Sequence, residues 1–368
     1  DLVEYAVWLE PTLHQLIWSE IEDKLNLEVF GEITLSFTNV SGKVEKIKPD
    51  LIGFSGREYY GFEVKLKPDP TAGDFQWGRR RTRQAKAKSR RNRVAKQLAK
   101  IAGSGYFDYC YLCCLEGEVP FYTDSMHFIE SMASAKVSEE IEQLYPDYDK
   151  VGILVFDNNG KLKGELVKAR KIQRHRTPKL SRDNEGFVRH HTFSKLDEKF
   201  CDHKICEGIL PNPDKGKPLR IDIMCFKGST NPSDILKNQD SGYELIGIEA
   251  KGVNFSIKST LDELRKYIKS GGLTRLYLAF PKKALSRALK LKKDLPEIGL
   301  ISVDERGTIE IVKEAEKIEM KYDCIRFNVG LDEYLGLPTG ERVKRIITVS
   351  IGMGKRVDSY ISLFDQTI

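Results

Sequence analysis

Nowhere in the 368 residues does an apolar run approach the roughly eighteen residues that a membrane-spanning helix needs. Nor does the chain open on the charged, then apolar, then small-residue pattern of a secretory leader. Both absences point to a soluble, intracellular, cytoplasmic protein with no membrane partner. Cysteine is scarce too. Of the seven present, only Cys110, Cys113 and Cys114 cluster, inside what reads as a buried strand. A zinc or iron–sulfur site would want repeated paired spacings, so that class is set aside, and scattered thiols suit a reducing cytosol. Acid is missing altogether from residues 79–100. That stretch holds eleven cations: Arg79, Arg80, Arg81, Arg83, Lys86, Lys88, Arg90, Arg91, Arg93, Lys96 and Lys100. Without them, 49 Lys and Arg face 54 Asp and Glu, a balance of −5 against +6 for the whole chain. The basicity is local, which marks a surface for an anionic partner rather than general solubility.

What the chain does have, it has twice. Its length fits two domains of ordinary size, and 40% hydrophobic residues supply a core. Residues Glu10–Leu25 align without a gap on Glu185–Phe200, pairing Glu10 with Glu185, Trp18 with Phe193, Ser19 with Ser194 and Lys24 with Lys199. Leu13, Leu16, Ile17 and Ile21 recur at helical spacing, so each copy opens on an amphipathic helix. Strand-like segments follow at Leu27–Phe37 and Ile205–Leu210. Thr260-Leu-Asp-Glu263 has the pattern of a capping box, with a helix through Leu261, Leu264 and Ile268 that Gly271-Gly272 ends. The basic run takes the corresponding place in copy one, with Val94, Leu98 and Ile101 as its buried stripe. Strands Tyr109–Cys114 and Leu276–Phe280 come next. Each copy closes on a hairpin, Val151–Gly160 and Ile298–Gly307, whose turns use Asp157/Gly160 and Asp304/Gly307.

The order helix, strands, helix, strand, helix, hairpin predicts an α/β (α+β) fold in two tandem domains, each a mixed central sheet flanked by helices. Residues 1–175 form the first domain, 176–184 a linker, 185–320 the second domain, and 321–368 an appendage without a counterpart. Gly352-Met-Gly354-Lys355 is too short for a phosphate loop.

The chemistry sits in two matching hairpins. In copy one, Ile47–Phe54 and Tyr59–Leu66 read as strands joined by a turn at Ser55–Arg57. Alternation puts Glu63 and Lys65 on one face, with Val64 directed into the core and Asp50 across from them, at one edge of the sheet. Copy two repeats this with Asp222 on Arg220–Met224 and Glu249-Ala250-Lys251 ending Glu244–Lys251, across a longer loop at 229–241. Two carboxylates suit Mg²⁺ or Mn²⁺, and a lysine beside the metal can orient or deprotonate a water.

These residues resemble the PD-(D/E)xK nuclease superfamily, the restriction-endonuclease-like fold shared with Holliday-junction resolvases and archaeal DNA-repair endonucleases. Pro49-Asp50 with Glu63-Val64-Lys65 carries the resemblance in copy one. Asp222 with Glu249-Ala250-Lys251 carries it in copy two, departing only at the proline, where Ile221 stands. The resemblance covers most of residues 1–320. It implies catalysis by Asp50, Glu63, Lys65, Asp222, Glu249 and Lys251, with Asp50, Glu63, Asp222 and Glu249 on the metal. It also implies a glutamate from the first helix, which Glu10 and Glu185 match, Leu9-Glu10 with Leu13 looking like the opening of the branched-DNA endonucleases. His14, and His190 or His191, are the alternatives on that helix. A glutamine on the helix after the lysine is a further element, met by Gln97, with Glu263 at the comparable place.

The expectation is a Mg²⁺-dependent endonuclease on DNA, branched, flapped or otherwise structured DNA included, cytoplasmic or nucleoid-associated, with one or two active sites. Arg79, Arg80, Arg81, Arg83, Lys86, Lys88, Arg90, Arg91 and Arg93, with Gln97, would hold the phosphate backbone through counterion release and Arg forks. Phe75 and Trp77 could stack on a base, though core packing competes for them. A homodimer is left open. A restriction enzyme, a ribonuclease, or an inactive nucleic-acid-binding scaffold of the same fold are the rival assignments. Nothing in the chain reads bases, since an Arg run positions without specifying.

Overall fold

A computed structural model describes residues 10–65, 83–116, 119, 135–157, 159–197, 200–201, 203–210, 219–227 and 244–319. Side chains are described for these except residues 10, 83–90, 135, 203, 205, 209 and 226. Two compact units result. The first spans Leu13–Ser181; the second runs from Arg182 and includes the start of the first helix up to Thr12.

In the first unit the elements run α1 (Glu10–Leu25), β1 (Glu28–Gly31), β2 (Leu35–Thr38), β3 (Val44–Ile47), β4 (Leu51–Phe54), β5 (Tyr59–Val64), α2 (Arg83–Ala102), β6 (Tyr109–Leu115), α3 (Ala135–Leu144), β7 (Gly152–Phe156) and β8 (Leu162–Val167). The second runs α4 (Glu185–Lys195), β9 (His203–Leu210), β10 (Leu219–Lys227), β11 (Glu244–Ala250), α5 (Ile257–Lys269), β12 (Arg275–Pro281), α6 (Leu285–Asp294), β13 (Gly299–Val303) and β14 (Ile309–Lys313). Each unit has a six-stranded mixed sheet, ordered β1-β4-β5-β6-β7-β8 and β9-β10-β11-β12-β13-β14. The pairing sense is the same along both: antiparallel, antiparallel, parallel, parallel, antiparallel. The fold is therefore α+β in two repeated parts. Among the described residues no helix is long and apolar enough to cross a membrane.

Copy one departs from the sequence expectation between α1 and β4. Leu27–Phe37 is not one strand. It splits at Glu32, whose φ of 59° turns the chain, and β2 leaves the main sheet to pair with β3. Ile47 thus ends β3 rather than opening the acid-bearing hairpin. Asp50 lies in the bend before β4.

Burial explains the helices. Leu13, Ile17 and Ile21 on α1 are at most 1% exposed, and the stripe Val94, Leu98 and Ile101 on α2 is buried as its spacing predicts. Glu20 on α1 is buried as well, but its carboxylate accepts from Lys161 Nζ at 2.9 Å and Leu162 N at 3.1 Å. Burial works to raise the Glu20 pKa, and these donors outweigh it and hold the group below the ordinary value. The central strands β5 to β7 are packed on both faces, as parallel strands usually are. An aromatic ladder runs across them: Tyr60 stacks on Tyr109 at 5.2 Å and Phe62 on Tyr111 at 5.9 Å. The matching β11–β12 pairs are Ile246 with Arg275 and Ile248 with Tyr277.

Both closing hairpins turn alike. Asp157 Oδ1 accepts from the amides of Asn159 and Lys161, and Asp304 Oδ1 from those of Arg306 and Thr308. Gly160 and Gly307 take φ of 72° and 75°, which the turn requires.

The capping box expected at Thr260–Glu263 is not the start of α5. Ser256 is the N-cap and its hydroxyl accepts from the Ser259 amide at 3.4 Å. Thr260 is buried one turn in, and Glu263 is engaged elsewhere, as shown below. Ser256→Ala is therefore expected to destabilise the second unit by about 1 kcal/mol, the usual cost of a lost cap, read as a lower urea midpoint; an unchanged midpoint would place the helix start elsewhere.

Candidate active site

The β4–β5 register pairs Leu51 with Phe62, so one residue further Asp50 stands opposite Glu63. The β10–β11 register pairs Ile223 with Ile248, which sets Asp222 opposite Glu249 in the same way. Both clusters lie at the ends of inner strands, not at a sheet edge as the sequence alone implied. Glu63 is 0% exposed and Glu249 3%. Each aspartate is oriented by the same backbone donor: Val64 N–H donates to Asp50 Oδ2 and Ala250 N–H to Asp222 Oδ2, both at 2.8 Å. Each lysine is fixed by the neighbouring strand, Lys65 N to the Cys113 carbonyl and Lys251 N to that of Ala279.

In the first cluster the Lys65 ammonium lies 2.6 Å from Glu63 Oε1 and 3.2 Å from Asp50 Oδ2, and also donates to the Val64 carbonyl at 3.0 Å. His14 Nε2 is 3.9 Å from Asp50 Oδ2. Neither oxygen of the buried Glu63 carboxylate accepts a well-formed hydrogen bond. Burial first, and then the Asp50 charge, push its pKa well above the ordinary carboxylate range, with Lys65 opposing.

The second cluster is dressed differently. Arg189 Nη1, from α4, lies 3.5 Å from Asp222 Oδ1, both side chains being 12–13% exposed. Lys251 Nζ contacts Glu249 Oε1 and sits 3.0 Å from Glu263 Oε2. The Tyr267 hydroxyl lies 2.7 Å from the Arg220 carbonyl oxygen and 3.1 Å from Glu249 Oε2. Burial, then Asp222, raise the Glu249 pKa against Lys251. Burial disfavours the Lys251 ammonium, but Glu249 and Glu263 outweigh it and hold the group above the ordinary lysine range.

The helix residues are placed as follows. The Glu10 side chain lies outside the described residues. Glu185 opens α4 behind the Asn184 cap, with its backbone beside Gly252. His190 is 1% exposed, and His191 packs on Phe187 and beneath Gly307. It is thus Arg189, overlooked in the sequence, that reaches Asp222. The signal was there: the ungapped helix alignment pairs His14 with Arg189 and Leu16 with His191. Leu16 lies under Gly160 as His191 lies under Gly307.

Among the described residues no group of three or more His, Cys, Asp or Glu is arranged to hold a metal ion. The first cluster brings the carboxylates of Asp50 and Glu63, and the second those of Asp222 and Glu249 with Glu263 beside Lys251. Magnesium is commonly held by one or two carboxylates and keeps its waters, so the oxygen-only donor set of Asp50 and Glu63 suits it. The Glu63 oxygens, buried without hydrogen bonds, leave acceptor capacity for a cation.

Of the basic run, Arg79, Arg80 and Arg81 lie outside the described residues, with Phe75, Trp77 and residues 320–368. Arg83, Lys86, Lys88 and Arg90 fall on α2, their side chains outside the description. Arg93 is exposed, and Arg91 and Gln97 are half-buried. Lys96 and Lys100 pair with Glu140 and Glu45, each at 2.6 Å, so the C-terminal turns of α2 are partly neutralised by acids distant in sequence. The six described cysteines are buried and carry no disulfide.

No protein-family model matches the chain. No curated protein matches it either.

Proposed function

We propose that this chain is a divalent-metal-dependent endonuclease of the restriction-endonuclease-like superfamily, hydrolysing phosphodiester bonds in DNA at the Asp50–Glu63–Lys65 cluster. One observation carries the proposal. A fully buried glutamate faces an aspartate and a lysine at the end of an inner strand, and its oxygens accept no well-formed hydrogen bond. Burial and the Asp50 charge together disfavour the Glu63 carboxylate against Lys65, and residues of this kind concentrate where chemistry is done.

Asp50 and Glu63 would hold the metal, which when bound supplies an acidified water and neutralises phosphate charge. The Val64 amide fixes one Asp50 oxygen and so orients the carboxylate. Lys65 would hold the attacking water and exchange a proton with it. The basic residues of α2, which follow the hairpin in sequence, would supply phosphate contacts that position the duplex without reading bases.

The test is cleavage of labelled duplex, single-stranded, flap and four-way-junction DNA, and of RNA, with Mg²⁺, Mn²⁺ or chelator. Metal-dependent cutting of DNA is expected. Retention of DNA without cutting under any metal would replace the enzyme by a scaffold of the same fold, and cutting of RNA alone would replace the substrate.

A further inference from the structure

We infer that the two clusters are not equivalent: Arg189 is the built-in cation of the second, and only the first takes a divalent metal. This rests on the nuclease proposal and says which copy performs it.

The comparison is controlled by the fold itself. Strand order, pairing sense, the register of the acid-bearing strands and the backbone amide that orients each aspartate are the same in both units. What differs is the side-chain shell. Where His14 stands 3.9 Å from Asp50, a guanidinium stands 3.5 Å from Asp222. An arginine is a permanent cation. A metal at Asp222 would have to displace that charge or sit beside it in a site largely shielded from water.

The other ligand is engaged as well. Aligning β6 with β12 without a gap puts Gln97 and Ile101 at the positions of Glu263 and Tyr267. Ile101 has no hydroxyl to offer Glu63, whereas Tyr267 places one 3.1 Å from Glu249 Oε2. Gln97 carries no charge, whereas Glu263 draws Lys251 into a second ion pair 3.0 Å away. Asp222 is thus met by Arg189 and one Glu249 oxygen by Lys251, while the Tyr267 hydroxyl, whose single proton the Arg220 carbonyl at 2.7 Å also claims, stands beside the other. In the first cluster Glu63 is paired with Lys65 at 2.6 Å and faces Asp50, with no hydroxyl beside it among the described residues. A guanidinium thus stands beside Asp222 where an imidazole stands beside Asp50.

The deciding experiment counts Mn²⁺ bound by the full chain, from the loss of the free-ion electron paramagnetic resonance signal during titration. Asp50→Asn and Asp222→Asn are compared with the unaltered protein, and a cooperative melt establishes that each variant is folded. The expected result is about one tight Mn²⁺ per chain, abolished by Asp50→Asn and retained by Asp222→Asn. Two tight ions in the unaltered protein, one lost with each variant, would overturn the inference and leave the nuclease proposal standing. So would a single ion lost only with Asp222→Asn. Absence of any tight ion would overturn both.

Discussion

Lys65→Ala is expected to slow DNA hydrolysis by about 10²–10⁴-fold, the range for loss of a positioned proton-handling group. The ammonium is held by Glu63 Oε1, Asp50 Oδ2 and the Val64 carbonyl, which fixes it beside both carboxylates. Its backbone is locked to β6 through the Cys113 carbonyl, so truncation beyond Cβ leaves the strand in place. The effect should therefore appear in single-turnover rates at saturating protein, with DNA affinity little changed. Lys163→Ala, an exposed change on β8, is the control and should match the unaltered protein. A Lys65→Ala rate within about threefold of that control would remove Lys65 from the chemistry.

Glu63→Gln should separate stability from activity. The substitution keeps the shape of the side chain and removes the charge that burial and Asp50 disfavour. Metal-dependent cutting is expected to fall about a hundredfold or more, since even groups behind a metal ligand carry effects of that order. Stability in chelator near neutral pH should rise by about 1–2 kcal/mol, the usual gain when a strained functional site is relaxed. The pH dependence carries a definite sign. A carboxyl whose folded-state pKa is raised binds more protons folded than unfolded, so its contribution to stability falls as pH climbs above the ordinary value of 4.5. The advantage of Glu63→Gln should therefore grow as pH rises from that value toward neutrality. Equal melting temperatures for the two proteins from acid to neutral pH would show that Glu63 carries no such penalty.

The duplication was legible because it is written in spacing. Apolar residues at helical intervals, acids at strand ends and Asp–Gly turns recur at matched offsets, and both sheets follow from them. Local signals failed where two were in competition. Thr260–Glu263 has the residues of a capping box, but Ser256 one turn earlier takes the cap and Glu263 is drawn to Lys251. Leu27–Phe37 is apolar enough for one strand, yet Glu32 turns the chain and β2 pairs with β3. The acid–Lys pairs were visible; their difference was not. Burial of Glu63, the reach of Arg189 to Asp222 and the Tyr267 hydroxyl are contacts between elements, which periodicity does not report. The pairings of His14 with Arg189 and of Gln97 with Glu263 lay open in the alignment.

The shared register of the inner strands also bears on how the chain folds. β5 and β11 present the same hydrogen-bonding edges, in the same order and sense, to β6 and β12. As far as backbone geometry goes, a newly made β11 could enter the first sheet, or β5 the second, and tandem copies are prone to such exchange. Side chains discriminate between them. Tyr60 and Phe62 find stacking partners in Tyr109 and Tyr111, while Ile246 and Ile248 meet Arg275 and Tyr277. The aromatic ladder thus gives the native β5–β6 pair a stacking energy that β11 on β6 would lack.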